Sequence, residues 1–510
     1  EGMTQTAGAY HEKTRYERSK MGGHSLDWQN QPDVFKTYAD GESIAMPREM
    51  PLPREDLFTL YERASEPRSG HDVFDLEKLS RILLLTYTLT SQARHPDGMF
   101  YFRSAASAGA LYPTEIYVMS DGMKDLNPGL YHFSIANHRL VKLRDGRLSG
   151  AVKEFLTNPT GSSPLTFFLS AIFFRSAWKY RDRSYRYHLL DTGHVLENLA
   201  LSLKALAYEF EITFDFDDRA INHLLGLDEN REVALAVCRV KGAFEQDGRL
   251  ESRTIEDLSE AVKEASRVSP HEFDTSVVRA VHTAGYERVL PGKTDLDMGN
   301  AIGIISESWV SVSSESPPHI SVSYPDAVFR RRSSRNFVAE PLPISYLRAL
   351  VNVLSATDHG GKERYVRSIC TGFLTGGVES LRDGFYLMDE EKNGFGLIKP
   401  GAFAGSMSHI CLDQGWMGGA SLHFMFMTNM DVLERSWGPR GYRYAMMTAG
   451  RMGETLYLAA AALGLGCCGI GAFYDGEAGD LLGLNEASRV LYVVSLGVVK
   501  AMLKRDIGKG

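Results

Sequence analysis

The chain has 510 residues, of which 44% are apolar, 10% aromatic and 24% charged, with a formal net charge of −8 and a pI near 6.0. This length predicts roughly two to four globular units, and the composition excludes a mostly disordered or fibrous chain. The negative charge excludes recruitment of nucleic acid by a global basic field. The longest strongly apolar stretch, Leu165–Phe174, has about half of the ~20 residues that a membrane-spanning helix needs, so no membrane partner is expected. Five cysteines, an odd number, favour a reducing cytoplasm over a disulfide framework.

The amino-terminal half is predicted to contain an arm and one globular unit. Residues 1–60 are polar and irregular, with several prolines, and are expected to wrap the core. Residues 61–243 show the periodicities of helices and strands in alternation. The expected elements are a helix at Asp75–Tyr87, strands at Glu115–Met119 and Phe167–Phe174, a long helix at Tyr185–Tyr208 and a final strand at Val233–Val240.

The carboxy-terminal half follows a connector and has the same sequence of elements. Residues 244–325 are polar and are predicted to be a connector with some helix, through Ile255–Val268. Residues 326–510 are predicted to form the second unit, so the expected fold class is α+β, an α/β sandwich. The expected elements are a helix at Ile344–Leu354, strands at Gly384–Met388 and Leu422–Thr428, a long helix at Tyr442–Leu463 and a final strand at Val490–Val498.

The two units are copies of each other. Tyr185-Arg186-Tyr187 recurs as Tyr442-Arg443-Tyr444, and Leu224-Leu225-Gly226-Leu227 recurs as Leu481-Leu482-Gly483-Leu484. Every such pair is separated by 257 positions, and this register continues without a gap from Tyr185 to about Val237. Two unrelated helices with similar leucine spacing would not usually keep one register over this length, so the pattern indicates an internal duplication.

The second copy contains an arginine-rich segment that the first copy lacks. Arg330-Arg331-Arg332-Ser333-Ser334-Arg335 places four arginines within six residues ahead of a helix. Guanidinium groups bind a phosphate dianion through paired, charge-assisted hydrogen bonds. A solvated basic turn is the alternative interpretation of this segment alone. The first copy has only Pro67-Arg68-Ser69-Gly70-His71 at the matching place.

Each copy also keeps a run of small residues that the other has lost. The second copy has a glycine-rich run at Leu463–Phe473, where the first copy has the bulkier, acidic Ala207–Asp215. The first copy has Arg103–Pro113, rich in alanine and serine, where the second has Arg367–Leu374. Small residues allow a backbone to approach a flat ligand closely, so the complementary losses predict one composite site between the copies.

Taken together, these segments resemble the nitroreductase-like flavoproteins, and more closely their SagB-type branch, which includes thiazoline and oxazoline oxidases. The resemblance covers about Tyr61–Lys241 and Asp326–Arg505. It implies a mixed sheet flanked by helices and a dimer that holds FMN between protomers. The two nitroreductase-like domains in tandem would then form an intrachain pseudo-dimer with one FMN. The mirror site, which would need Arg68, Glu209–Asp215 and Cys370–Leu374, is expected to be empty.

The resemblance also implies a set of FMN-binding residues. A backbone N–H near Gly471 is expected to point at flavin N5, and Arg103 is a candidate for stabilising the anionic reduced ring. The implied ligands are Arg331, Arg332, Ser333 and Arg335 for the phosphate and ribityl side, Gly469, Ile470 and Gly471 at the ring, Ala106, Ser107, Ala108 and Ala110 at the pyrimidine side, Gln414 as a further candidate, and Lys504 and Arg505 at the phosphate.

Lys179 and Tyr180 are the candidate catalytic residues. They match a Lys-Tyr pair that is implicated in catalysis in the azoline-oxidising relatives, and the second copy has no such pair in Ser436–Arg440. A desolvated lysine or an acidified tyrosine would serve as the base. A surface lysine and a packing tyrosine are the alternative interpretation. The histidine and cysteine spacings predict no metal site.

These observations leave three functions open. The first is an FMN-dependent oxidoreductase that oxidises peptide azolines with oxygen as acceptor, and the second is a reductase of nitro compounds or quinones that uses NAD(P)H. The third is a non-catalytic module that binds flavin or a peptide. The expected partner is a small molecule or a peptide, and the chain is expected to be a monomeric pseudo-dimer or a higher homo-oligomer.

Overall fold

The computed structural model describes residues 6–64, 74–96, 98–161, 163–241, 253–288, 296–312, 318, 322–356 and 363–500. Within these residues, each half of the chain forms one antiparallel seven-stranded sheet, in the order β1-β6-β5-β4-β7-β9-β8 or β10-β13-β12-β11-β14-β16-β15. The hairpin β2–β3 stands apart from both sheets. The strands are β1 Ser43–Ala45, β2 Leu89–His95, β3 Gly98–Arg103, β4 Thr114–Ser120, β5 Gly129–Ser134, β6 Arg139–Asp145, β7 Leu165–Ile172, β8 Glu209–Thr213, β9 Glu232–Lys241, β10 Val310–Ser311, β11 Cys370–Thr375, β12 Gly384–Asp389, β13 Gly394–Pro400, β14 Leu422–Asn429, β15 Gly466–Ile470 and β16 Ser488–Gly497.

The helices confirm the expected tandem α+β organisation. They are α1 Ala7–Lys13, α2 Leu57–Glu62, α3 Leu76–Thr86, α4 Ser149–Phe155, α5 Phe173–Tyr180, α6 Ser184–Ala205, α7 Asp218–Leu225, α8 Glu260–Glu264, α9 Ser276–Ala284, α10 Met298–Ala301, α11 Tyr324–Arg330, α12 Ile344–Ser355, α13 Glu363–Val366, α14 Ala404–Ile410, α15 Met430–Trp437, α16 Gly441–Leu463 and α17 Asp475–Leu482. The predicted strand Phe167–Phe174 ends two residues early, because Phe173 already begins α5. The helix predicted at Ile255–Val268 is confined to α8.

The long helices α6 and α16 pack against each other where the two halves meet, and nearly all of their residues are buried. Their contact depends on two glycines that are 257 positions apart. A Cβ on Gly193 would lie 2.2 Å from the carbonyl oxygen of Met447, and a Cβ on Gly450 would lie 2.2 Å from that of Leu190. Because no side chain fits at either place, these glycines allow the helix backbones to touch and fix a pseudo-twofold seam.

Two equivalent charge clusters hold this seam. Asp475 accepts hydrogen bonds from Arg183 and Arg186, with N–O distances of 2.7 and 2.6 Å. Asp218 pairs in the same way with Arg440 and Arg443. Each of the six side chains is at most 3% exposed. A buried charge is tolerated only with a partner. Asp218 therefore joins α7 to α16 of the other half, and Asp475 joins α17 to α6 of the other half.

The connector contains a second arm. His11 on α1 pairs with Tyr442, and His282 on α9 pairs with Tyr185, both at 3.0 Å from Nδ1 to the tyrosine oxygen. The sequence His11…Tyr16-Glu17-Arg18 recurs as His282…Tyr286-Glu287-Arg288, with one residue fewer between the histidine and the tyrosine. The duplication therefore extends into the region predicted to be a connector with some helix. Each arm binds the tyrosine of the half that does not directly follow it: the amino-terminal arm binds Tyr442 of the second half, and the connector arm binds Tyr185 of the first.

Candidate functional site

A cleft of about 770 Å3, counting the space open to solvent, lies between the two halves. The first half contributes the small-residue loop before β4 and part of α5 and α6, and the second contributes β15 and the arginine-serine segment. The lining residues are Ala106, Ser107, Ala108, Gly109, Tyr180, Tyr187, Leu190, Asp191, His194, Ser333, Arg335, Gln414, Trp416, Tyr457, Cys468, Gly469, Ile470, Gly471, Ala472 and Tyr492.

The small-residue loop is held against α6 by one carboxylate. Asp191 accepts a hydrogen bond from Ser107 Oγ at 2.5 Å and another from the Ala108 N–H at 3.2 Å. The loop has a left-handed backbone at Gly109, with φ of 65°, and a Cβ there would lie 2.9 Å from the Tyr180 hydroxyl. Glycine is therefore needed at this position both for the turn and for the approach of Tyr180.

The glycine-rich run forms β15, the edge strand of the second sheet, rather than a loop. The Gly469 N–H donates to the Tyr457 hydroxyl at 2.7 Å, and the same hydroxyl lies 2.9 Å from Ser333 Oγ. A Cβ on Gly471 would lie 2.4 Å from the ring of Tyr187 on α6. Here the strand of one half directly contacts the helix of the other, as the composite site requires.

Arg335 and Lys179 are basic side chains at the cleft, with Lys179 just outside its lining and within electrostatic reach of Arg335. Arg335 lines the cleft and lies over the ring of Trp416, 5.9 Å from its centroid. Burial lowers the pKa of Lys179 from its usual value, and the positive charge of Arg335 lowers it further. Burial raises the pKa of Tyr180 well above its usual value. Lys179 therefore has the direction of shift expected for a base, whereas Tyr180 holds its proton more tightly than a free tyrosine does.

Several predicted ligands lie outside the lining. Arg331 is buried and donates to the carbonyl oxygens of Ser104 and Arg103, so it joins the second half to the loop of the first. Arg332 donates to backbone carbonyls, one of them that of Phe329. Arg103 is buried and donates to the Val34 carbonyl. Ala110 also lies off the lining, and Lys504 and Arg505 lie outside the described residues.

The cleft also contains a polar network that the sequence analysis missed. His194 on α6 lies 2.5 Å from Glu454 Oε2 through Nδ1 and 3.0 Å from the Tyr492 hydroxyl through Nε2. All three side chains are buried, and Glu454 belongs to α16 of the other half. The sequence did contain a signal for this network, because a histidine and carboxylates occur at helical spacing within helices that are otherwise apolar. Such polar groups are buried only when they have hydrogen-bonding partners.

The family model described as "Nitroreductase family" matches residues 49–242 and 377–498, which is more than half of the chain. The chain belongs to the nitroreductase family. A crystal structure described as a nitroreductase from Anabaena variabilis aligns with 97% of this chain and all of its own, with a TM-score of 0.77 and 27% identity. This match covers both halves and supports the tandem nitroreductase fold.

Two curated relatives match about a third of the chain. A protein of Methanocaldococcus jannaschii described as a nitroreductase is 28% identical over 178 residues, which are 33% of this chain and 88% of the relative. The trifolitoxin-processing protein TfxB of Rhizobium leguminosarum is 28% identical over 181 residues, 33% of this chain and 48% of TfxB. The chain thus spans about half the length of TfxB.

In this nitroreductase chain the mirror position is filled by protein. Phe214 is the counterpart of Gly471, and its N–H donates to the Tyr365 hydroxyl at 3.0 Å. The Tyr365 ring lies 4.4 Å from that of Phe214 and 4.9 Å from that of Tyr444, the counterpart of Tyr187. The expectation that Cys370–Leu374 would line this position is wrong, because these residues form the central strand β11 and the segment before it supplies Tyr365.

Within the described residues, no helix has the length and apolar character needed to cross a membrane. The same residues contain no cluster of three or more His, Cys, Asp or Glu side chains suited to a metal ion. All five cysteines are buried and free.

Proposed function

We propose that the protein is an FMN-dependent oxidoreductase that binds one FMN in the cleft between its halves and dehydrogenates azoline rings in a peptide. The observation that carries this proposal is the composition of the cleft. The Ala106–Ala108 loop comes from one half, and the Ser333–Arg335 segment and the glycine strand β15 come from the other. The resemblance assigns the same division between the two protomers of an FMN-binding dimer.

The chemistry of the cleft suits FMN. Arg335 supplies positive charge for a phosphate, and Ser333 and Gln414 supply polar groups for the ribityl chain. The backbone of Gly469–Gly471 offers peptide groups beside two tyrosine rings, a surface suited to a planar tricyclic ring. At the mirror position the equivalent backbone N–H, that of Phe214, donates to a tyrosine hydroxyl. The N–H near Gly471 is therefore proposed to donate to flavin N5.

Bound flavin supplies a two-electron acceptor, and the side chains of the cleft supply orientation and proton transfer. Lys179 and Tyr180 flank the small-residue loop, where they would orient a substrate ring. Lys179 is the better candidate base of the two, because burial and Arg335 favour its neutral form. Oxygen is the proposed final electron acceptor, and the five free thiols support a cytoplasmic location.

A peptide substrate is favoured by the similarity to a toxin-processing protein. The Methanocaldococcus relative, described as a nitroreductase, favours the second candidate, a reductase that takes electrons from NAD(P)H. Both candidates need the same flavin, so they differ in which partner donates electrons to it.

The test is a flavin titration followed by anaerobic stopped-flow absorbance. We expect one FMN per chain and rapid loss of the oxidised flavin band on mixing with a synthetic thiazoline peptide. Bleaching by NADPH and not by the peptide would instead establish the reductase. A protein that stays colourless after addition of FMN would refute flavin dependence and leave the peptide-binding module.

A further inference from the structure

Asp191 differs from the other buried carboxylates of the described chain in having no basic side chain paired with it. Glu115 pairs with Arg175, and Glu232 pairs with Lys36. Asp191 is 4% exposed and lines the cleft, yet the groups that donate to it are the neutral Ser107 hydroxyl and the Ala108 N–H. A buried carboxylate without a counter-charge is costly and is found where its protonation matters to function.

The groups that face Asp191 leave it able to take up a proton near neutral pH. The phenols of Tyr112, Tyr180 and Tyr492 are close enough to interact with it electrostatically, and His194 lies one turn along the same helix. Burial raises the pKa of Asp191 to about 7, and the hydrogen bonds from Ser107 and Ala108 offset only part of this rise. Both protonation states are therefore populated at physiological pH.

We propose that Asp191 is the general base of the cleft and accepts the proton that leaves the substrate during its oxidation. This inference rests on the proposed dehydrogenase function. The substrate breaks two bonds to hydrogen. One hydrogen leaves with its electron pair to the bound flavin, and the other leaves as a proton to an Asp191 carboxylate oxygen. The substrate thereby loses two electrons and gains one double bond, and the carboxylic acid later returns its proton to solvent.

The alternative bases in the cleft fit this role less well. Tyr180 would first have to lose a proton that its buried position holds tightly. Lys179 lies off the cleft lining, so it is less directly placed than Asp191 to meet a bound substrate. Asp191 is also fixed in place, because its two hydrogen bonds hold it to the loop that closes the cleft. Fixed geometry within reach of the ligand is the first requirement for a general base.

The kinetic test measures flavin bleaching by the thiazoline peptide between pH 5.5 and 9.5. Asp191→Asn should slow bleaching more than 100-fold, in line with the usual contribution of general base catalysis. Ser107→Ala should move the acidic limb of the wild-type profile to higher pH, because the Ser107 hydrogen bond lowers the pKa of Asp191. Thr448→Ala is the matched control, since Thr448 is the buried α16 counterpart of Asp191 outside the cleft lining. Bleaching by Asp191→Asn at the wild-type rate would overturn the proposal.

A second measurement does not depend on catalysis. Calorimetric titration with FMN at pH 7, in two buffers with different ionisation enthalpies, gives the number of protons taken up on binding. Filling the cleft excludes water and raises the pKa of Asp191 further, so wild type should take up about half a proton more than Asp191→Asn. Equal uptake by both proteins would overturn the role of Asp191. If the wild type does not react with the peptide but still takes up more protons on FMN binding than Asp191→Asn does, only the azoline substrate is refuted.

Discussion

Replacing Asp475 with asparagine tests whether the two ends of the seam differ in function. The substitution keeps the shape of the side chain but removes the charge that Arg183 and Arg186 share. Both arginine side chains are at most 2% exposed, so they would remain buried without a counter-ion. Arg183 also donates to the carbonyl oxygen of Gly471 at 3.0 Å, which couples this cluster to the end of β15 in the cleft.

Two magnitudes follow from this geometry. Breaking a buried ion pair by removing one partner costs about 3–5 kcal/mol, so we expect a loss of that size in the free energy of unfolding of Asp475→Asn. Release of the Gly471 carbonyl should also weaken FMN binding at least about tenfold, or ~1.4 kcal/mol, because the strand end beside the ring is no longer held. Urea denaturation measures the first quantity, and quenching of flavin fluorescence measures the second.

Asp218→Asn is the internal control. Asp218 holds Arg440 and Arg443 in the equivalent cluster, and Arg440 donates to the carbonyl of Phe214 at 2.8 Å. The loss of stability should be similar, whereas FMN affinity should change by less than about twofold, since this cluster borders the filled mirror position. Equal losses of FMN affinity in the two variants would refute the assignment of the cleft to one side of the seam.

Three further predictions concern the cleft, its mirror and the response to acid. Arg335→Ala should weaken FMN binding by about 1.5–3 kcal/mol, the usual value of a charged hydrogen bond, whereas Arg68→Ala at the matching place in the first copy should leave the affinity unchanged in the same fluorescence titration. Tyr365→Ala should lower the free energy of unfolding by about 3–5 kcal/mol, because it empties a packed aromatic site, while absorbance still gives one FMN per chain. The free energy of unfolding should fall as the pH drops from about 6.5 towards 4, by up to ~1.4 kcal/mol per pH unit for each histidine that binds its proton only when unfolded. Burial lowers the pKa of five histidines in this way, to about 3 for His11 and His188, to about 4 for His138 and His423, and well below its usual value for His282. Asp191, whose pKa burial raises, offsets one of these contributions. A free energy of unfolding that stays constant in urea titrations between pH 6.5 and 4.5 would contradict this prediction.

Periodicity was enough to predict the long helices and the strands β4, β7, β9, β12, β14 and β16, but it did not reveal the central strand β11 or the edge strand β15. The long helices were predicted to within a few residues, because α6 and α16 belong to the gapless part of the repeat. The second arm was missed because its histidine and tyrosine lie 271 and 270 positions after those of the first arm, outside the 257-residue register of the repeat. A comparison that tolerated gaps would have found it.

The site was harder to predict, because sequence identifies residue types but not the direction in which they face. Arg331, Arg332 and Arg335 are equivalent in composition, yet of these three only Arg335 lines the cleft. Arg331 instead bonds to backbone carbonyls in the interior. Nothing in the sequence around Asp191 marked it as a site residue. Because α6 is buried on all sides, it has no separate polar and apolar faces that periodicity could distinguish.

The duplicated seam shows how one site could be specialised while the other serves stability. Glu197 pairs with Arg451 and also accepts a hydrogen bond from Tyr61, so its charge is fully compensated. Its counterpart Glu454 pairs with His194, the counterpart of Arg451, and Oε1 of Glu454 has no hydrogen-bond partner among the described residues. Arg451 therefore gives Glu197 a permanently charged partner away from the cleft. On the other side His194 replaces the arginine, so the equivalent seam position presents an imidazole to the cleft and bonds to both Glu454 and Tyr492.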